Sequence, residues 1–228
     1  MSGELIADLR AALFDLDGTL CDSAPLHFEA WRRALADRGR SAPVWDDYVD
    51  FCLRGQRRFE EVLMLPSDEA AVLHREKSAH FAVLAERDLR PLPGVEAFWA
   101  RLRALGVAIG VVSTARRSSA QIALRTMRLP APDVVIARED VEPNVKPHPA
   151  GYRLAVSALG VPNECAIAFE DAPSGIAAAR AAGLVCVATP SKVFGREDQT
   201  EADAHFEEWS AVRLELRSGR VHVVISPA

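Results

Sequence analysis

The features that this 228-residue chain lacks narrow its function before any motif does. No apolar run reaches the length of a membrane span. Met1 to Arg10 carries two acids and no long apolar stretch, so neither a signal peptide nor a membrane anchor is expected there. Cys21, Cys52, Cys165 and Cys186 form no Cys-x-x-Cys pair and no zinc-ligand spacing. Unpaired thiols of this kind point to a reducing, cytoplasmic setting. The 27 lysines and arginines, set against 32 acids, are spread along the chain, and the absence of a basic tract sets nucleic-acid binding aside. What remains is 49% hydrophobic and 26% charged, enough apolar material for a packed interior under a polar surface.

The most informative segment is Ala11-Ala-Leu-Phe-Asp-Leu-Asp-Gly-Thr-Leu20. An apolar run of strand length delivers Asp15 and Asp17 and then stops on Gly18. Side chains two apart on a strand share a face. Both acids therefore emerge at the carboxyl end of a strand, where open α/β sheets bind ligands. Two carboxylates placed side by side call for a shared proton or a bound cation. A hard divalent ion such as Mg²⁺, with phosphate oxygens completing its shell, fits best. An ordinary Asp-Gly turn is the plainer alternative.

After Asp22 the pattern is helical up to Arg90, with no convincing strand. From Pro91 onward helices and strands alternate. The apolar runs at 107–112, 133–136, 165–169 and 184–188 read as buried parallel strands, with helices from about Pro149 to Leu159 and from Pro173 to Ala182. Such alternation predicts an α/β fold, a doubly wound parallel sheet covered on both faces. The expected organisation is a Rossmann-like core of residues 1–21 and 91–228, interrupted by an all-helical cap of residues 22–90. Val221 to Ile225 looks like a strand preceded by a turn at Arg217-Ser-Gly-Arg220, and no chemistry is assigned to it.

The later strand ends also carry polar groups. Ser113-Thr114 succeeds one apolar run and Glu170-Asp171 another, while Lys146-Pro-His-Pro149 leads into a helix. Ser113 and the amides of the next helix could hold a phosphate oxygen. Each group alone has a structural explanation, as an N-cap or a solvated loop residue. Together they suit a metal–phosphate site with a carboxylate nucleophile.

These segments, in this order, resemble the haloacid dehalogenase superfamily of phosphohydrolases. The helical insertion resembles the cap of the branch that contains sugar-phosphate phosphatases and β-phosphoglucomutase. The resemblance implies that Asp15 is the nucleophile and Asp17 the acid and base. It implies Mg²⁺ held by Asp15, Asp17 (through its main-chain carbonyl), Glu170 and Asp171, and phosphate binding by Ser113, Thr114 and Lys146. Val145 stands where the family commonly has glycine. On the cap, His27, Arg58 and Lys77 fall at substrate-binding positions of that branch, and Arg116 could reach a distal phosphate or hydroxyl. Lys77 also interrupts the apolar stripe of Leu73, Phe81 and Leu84, so it must snorkel, pair or face a ligand.

The expected activity is hydrolysis of a small phosphorylated sugar or polyol through an aspartyl-phosphate. A phosphomutase using the same nucleophile, a non-catalytic binding module and a dehalogenase stand as alternatives. The expected partner is a small phosphorylated metabolite, with no nucleic acid or membrane, and the chain is expected to be a monomer or small homo-oligomer. Cap hinges are expected near Cys21–Pro25 and Leu89–Pro93.

Overall fold

The computed structural model describes residues 3–54 and 59–225. After a short strand β1 (Gly3–Ile6), β2 (Ala11–Phe14) enters the centre of the molecule, where all four of its residues are buried. A strand without a polar face can only sit in a sheet covered on both sides. Helices α1 (Ala24–Ala36), α2 (Trp45–Tyr48), α3 (Phe59–Val62) and α4 (Ser67–Asp88) come next, with a π-helical turn over Val49–Arg54.

The chain then alternates through α5 (Val95–Ala104), β3 (Ala108–Val112), α6 (Arg117–Met127), β4 (Val134–Ile136), α7 (Arg138–Val141), α8 (Ala150–Leu159), β5 (Ala166–Glu170), α9 (Pro173–Ala181), β6 (Val185–Ala188) and β7 (Ala204–His205). A hairpin of β8 (Val212–Arg217) and β9 (Arg220–Ile225) closes it, turning at Ser218 and Gly219, both with positive φ.

The six-stranded sheet runs β4-β3-β2-β5-β6-β7, all parallel. Phe14 lies opposite Val111 on one side and Phe169 on the other. The three strands therefore end level, and the residues just beyond Phe14, Val112 and Phe169 share one edge. On one face α8 and α9 cover the sheet with Tyr152, Val156 and Ile176. The other face carries a larger apolar cluster in which Phe14 and Phe169 stack at 5.1 Å, with Phe98, Phe206 and Trp209 around them. The helical insertion has its own apolar cluster of Trp31, Leu35, Tyr48, Phe59 and Leu73, while Ala30, Phe81 and Leu84 join the main core. The two crossings into and out of the insertion pair with each other: Cys21 bridges Pro91, and the Leu92 N–H donates to the Leu20 carbonyl at 2.8 Å.

Three strands were not legible from pattern: β1, β7 and β8. β1 pairs antiparallel with β9 in a second sheet ordered β1-β9-β8, a partnership between the two ends of the chain that no local periodicity reports. β7 is a two-residue edge strand. The strand read at 165–169 instead runs from Ala166 to Glu170, which carries Glu170 into the sheet.

Candidate active site

The parallel ladder continues one residue past each strand and sets the site's frame. Asp15 N–H donates to the Phe169 carbonyl at 3.0 Å, Ser113 N–H to Ile136 at 2.9 Å, and Thr189 N–H to Glu170 at 2.7 Å. Asp15, Ser113 and Glu170 thus converge on one edge of the sheet. Lys146 reaches the same point from the loop before α8. Its Nζ lies 2.5 Å from Asp15 Oδ1 and 2.6 Å from Glu170 Oε1, and it donates to the Val112 carbonyl at 2.8 Å.

Carboxylate oxygens of Asp15, Glu170 and Asp171 lie within 4.8 Å of one another, all three residues buried. Burial, with the negative charge of Glu170 and Asp171, pushes the Asp15 carboxyl well above its ordinary range despite Lys146. Burial and Glu170 push Asp171 up to about 7, against the Ser191 hydroxyl that donates to it at 3.0 Å. Burial works against the Lys146 charge, but Asp15 and Glu170 hold its pKa above the usual lysine value. One ammonium does not balance three carboxylates.

The fit to a cation is visible in one atom. Glu170 Oε1 accepts from the Tyr152 hydroxyl and Lys146, whereas buried Oε2 has no hydrogen-bond partner among the described residues. Two glycines make the acids' positions possible. A Cβ on Gly175 would lie 2.1 Å from the Glu170 carboxylate, and one on Gly18, with φ +102°, would lie 2.2 Å from Asp171 Oδ2. The donor set, all hard oxygen, suits a metal ion of the magnesium class.

Asp17 faces the other way. Its Oδ1 accepts from the Ser23 hydroxyl and lies 3.4 Å from His27 Nε2, and the Ser113 hydroxyl approaches Oδ2 at 3.4 Å. His27 stacks on Phe81 at 4.0 Å, and its Nδ1 lies 2.6 Å from Lys77 Nζ. Partial burial raises the Asp17 pKa, but His27, Ser23 and the charge of Lys77 overcome it and hold the carboxyl at about 2. Burial and the Lys77 charge lower the His27 pKa, against the pull of Asp17.

Of the expected residues, Asp15, Asp17, Ser113, Lys146, Glu170, Asp171 and His27 come together. Thr114 lies beside them on the wall of a cavity of about 850 Å³. That cavity also takes Tyr48 and Leu53 from the insertion and Phe194 and Trp209 from the core. Lys77 is buried behind His27, over the Phe81 ring at 4.9 Å, and is not on the cavity wall. Arg116 also lies off the wall; its side chain is 45% exposed and its guanidinium is 3.9 Å from Glu139. Arg58 lies outside the described residues. Ser23, Tyr152 and Ser191 were not anticipated: a hydroxyl inside an apolar helix stripe or a loop carries no sign of its target.

Comparison with known proteins gives one answer. Residues 9–183 match the haloacid dehalogenase-like hydrolases. Protein CbbY of Rhodobacter capsulatus is 33% identical over 90% of this chain and 95% of its own. Validoxylamine A 7'-phosphate phosphatase of Streptomyces hygroscopicus subsp. limoneus is 36% identical over 90% and 96%. The crystal structure of CbbY from Rhodobacter sphaeroides in complex with xylulose-(1,5)bisphosphate superposes with a TM-score of 0.81 at 28% identity, over 89% of this chain and 95% of that one.

Proposed function

The chain belongs to the haloacid dehalogenase-like hydrolases, and from that premise we propose that it is a Mg²⁺-dependent phosphatase of a small phosphorylated sugar or polyol, working through an aspartyl-phosphate on Asp15. One observation carries the reading: among the described residues, three buried carboxylates share an edge with a single lysine, and Glu170 Oε2 is left without a partner. Such a cluster is relieved either by protons held on the acids or by a cation, and only a cation leaves all three acids ionised.

Asp15, Glu170 and Asp171 would hold Mg²⁺, with the Asp17 main-chain carbonyl as the fourth group that the family resemblance implies. When bound, the ion offsets the repulsion between a carboxylate nucleophile and a phosphate dianion. Lys146 adds a fixed charge for the equatorial phosphoryl oxygens, and the Ser113 hydroxyl donates to another. Asp15 attacks phosphorus and the P–O bond to the leaving alkoxide breaks. Asp17 hands that alkoxide a proton, then takes one from the water that hydrolyses the acyl phosphate.

As it stands Asp17 is ionised, which is the state needed for the second step. To serve in the first step it must accept a proton while its links to Ser23 and His27 are loosened. Ser23 immediately precedes α1 and His27 lies within its first turn, so movement of the insertion about the paired crossings reaches Asp17 directly. Three buried free thiols, Cys21, Cys165 and Cys186, support a reducing cytoplasmic setting, and no helix among the described residues is long and apolar enough to cross a membrane.

The test is phosphate release from a panel of sugar and polyol phosphates, with Mg²⁺ or with EDTA, beside Asp15→Asn. Metal-dependent release that disappears in the variant supports the reading. Isomerisation of a sugar phosphate without release assigns the chain to phosphoryl transfer between hydroxyls, and no turnover of any substrate removes the enzyme reading.

A further inference from the structure

Besides the partly buried His27, three cations line the cavity among the described residues: Lys146, Lys192 and Arg138. Lys146 is committed to Asp15 and Glu170. Lys192 lies 2.5 Å from Asp22. Arg138 alone of the three has no carboxylate within ion-pair distance among the described residues.

Its neighbours account for that. Helix α7 begins Arg138-Glu-Asp, and both acids are engaged elsewhere. Asp140 accepts from the Arg117 guanidinium and from the Ala137 N–H at 2.8 Å. Glu139 accepts from the Arg117 N–H at 2.9 Å and lies 3.9 Å from Arg116. Arg138 is instead pinned to the loop after β3, its main-chain N–H donating to Ala115 at 3.1 Å and its Nε to the Thr114 carbonyl at 2.8 Å. The backbone and the Nε are fixed, which leaves the terminal nitrogens of a planar fork to a ligand. Such a fork matches the oxygens of a carboxylate or a phosphate.

Resting on the phosphatase reading above, we propose that Arg138 is a specificity-determining residue that binds a second anionic group of the substrate, a carboxylate or phosphate distant from the phosphoryl that is transferred. The transferred group has its own cation in Lys146 and its own hydroxyl in Ser113. Arg138 touches neither, and is tied to the loop one residue beyond Ser113. The sequence reading offered Arg116 as able to reach a distal phosphate or hydroxyl, but α7 draws Arg116 and Arg117 outward and leaves Arg138 on the wall. The relatives' names span both kinds of substrate: xylulose-(1,5)bisphosphate has a second phosphate, while validoxylamine A 7'-phosphate has none.

The experiment compares steady-state kinetics of the wild type, Arg138→Gln and Arg138→Lys on three probes with Mg²⁺: phosphoglycolate, a pentulose bisphosphate and sorbitol 6-phosphate. In Arg138→Gln, KM for the preferred doubly anionic probe is expected to rise about tenfold, the worth of one charge-assisted bond, with kcat nearly unchanged. KM for sorbitol 6-phosphate should stay put, and Arg138→Lys should recover part of the loss. Which anionic probe responds distinguishes a carboxylate partner from a phosphate. Equal loss on all three probes means that Arg138 only holds the Thr114 loop or meets the transferred phosphoryl, and overturns the proposal. No change on any probe overturns it as well. A wild type inactive on everything overturns the phosphatase reading itself, an outcome distinct from an active wild type indifferent to a second charge.

Discussion

Asp15 and Asp17 leave the same strand two residues apart, yet the fold displaces their pKa values in opposite directions. Asp15 is buried at the sheet edge, with Glu170 and Asp171 beside it and one lysine shared among the acids; burial first, then those charges, push its carboxyl up. Asp17 faces the insertion, where Ser23, His27 and Lys77 surround one acid; its carboxyl is held at about 2. Strand geometry explains why the two are neighbours. The elements packed on either side explain why one site wants a cation and the other already has one. Assigning nucleophile and acid/base therefore depends on environments that residue spacing does not describe.

The sharpest break in that comparison is Asp15→Asn. Losing the proposed nucleophile should lower kcat by at least about a thousandfold. Because the fold resists ionising Asp15, the thermal midpoint measured without metal should not fall. A variant that keeps its activity would remove Asp15 from the chemistry, and one that unfolds would show that its charge supports the core.

Gly175→Ala attacks the acid-rich side without touching a charge. The new methyl would occupy the position of the Glu170 carboxylate, 2.1 Å away, so Glu170 must move. Metal affinity, read as the Mg²⁺ concentration for half-maximal activity, should weaken about ten- to hundredfold, the usual effect of displacing a ligand's support. An unchanged Mg²⁺ requirement would mean that Glu170 is not a ligand.

Lys77→Met tests the donor-rich side. Methionine fills a similar volume between Trp31 and Phe81. Removing the charge takes away a force that lowers the His27 pKa, while Asp17 still raises it, so the His27 titration tracked by NMR should move upward. That shift fixes the sign of the stability effect. A histidine depressed in the folded state contributes stability that is complete above its ordinary 6.5 and is lost as pH falls through the folded value. The variant should lose less stability on acidification across that window. A His27 titration that stays in place would separate Lys77 from the Asp17 network.

The legible part of the site was the part written in apolar runs with polar residues at their ends. Ala11 to Phe14, Gly110 to Val112 and Ala166 to Phe169 announce strands, and parallel register makes their ends level, so Asp15, Ser113 and Glu170 meet without further information. Tyr152 reaches Glu170 from a helix on the far face, an approach set by packing. Lys77 was visible as a charge that needed an answer, and its answer, His27, lies 50 residues away. Among the three neighbouring arginines, choosing Arg138 over Arg116 requires the four-residue helix α7, too short to leave a periodic signal. The β1–β9 pairing is hidden for a different reason, since it joins the two ends of the chain only in the finished fold.

The smallest predicted effect has the most to say about reading a pKa. Glu29 is held at about 2, the same value as Asp17, by Arg32 and Arg33 on its own helix, with bonds of 2.7 Å. The Glu29 and Asp17 side chains are about equally exposed, 26% and 29%, but Arg32 and Arg33 are 57% and 38% exposed against 14% for His27, so water screens the Glu29 pairs and the helix holds them only loosely. Glu29→Gln should cost about 0.5 kcal/mol or less at low salt, in the range of helical surface pairs. At 1 M salt the Debye length is about 3 Å and that cost should vanish. Asp17, which meets His27 beneath the insertion, should keep its depressed titration at the same salt. A salt response shared by both carboxyls would mean that the insertion leaves Asp17 as wet as the surface, with His27 and Lys77 acting on it through water.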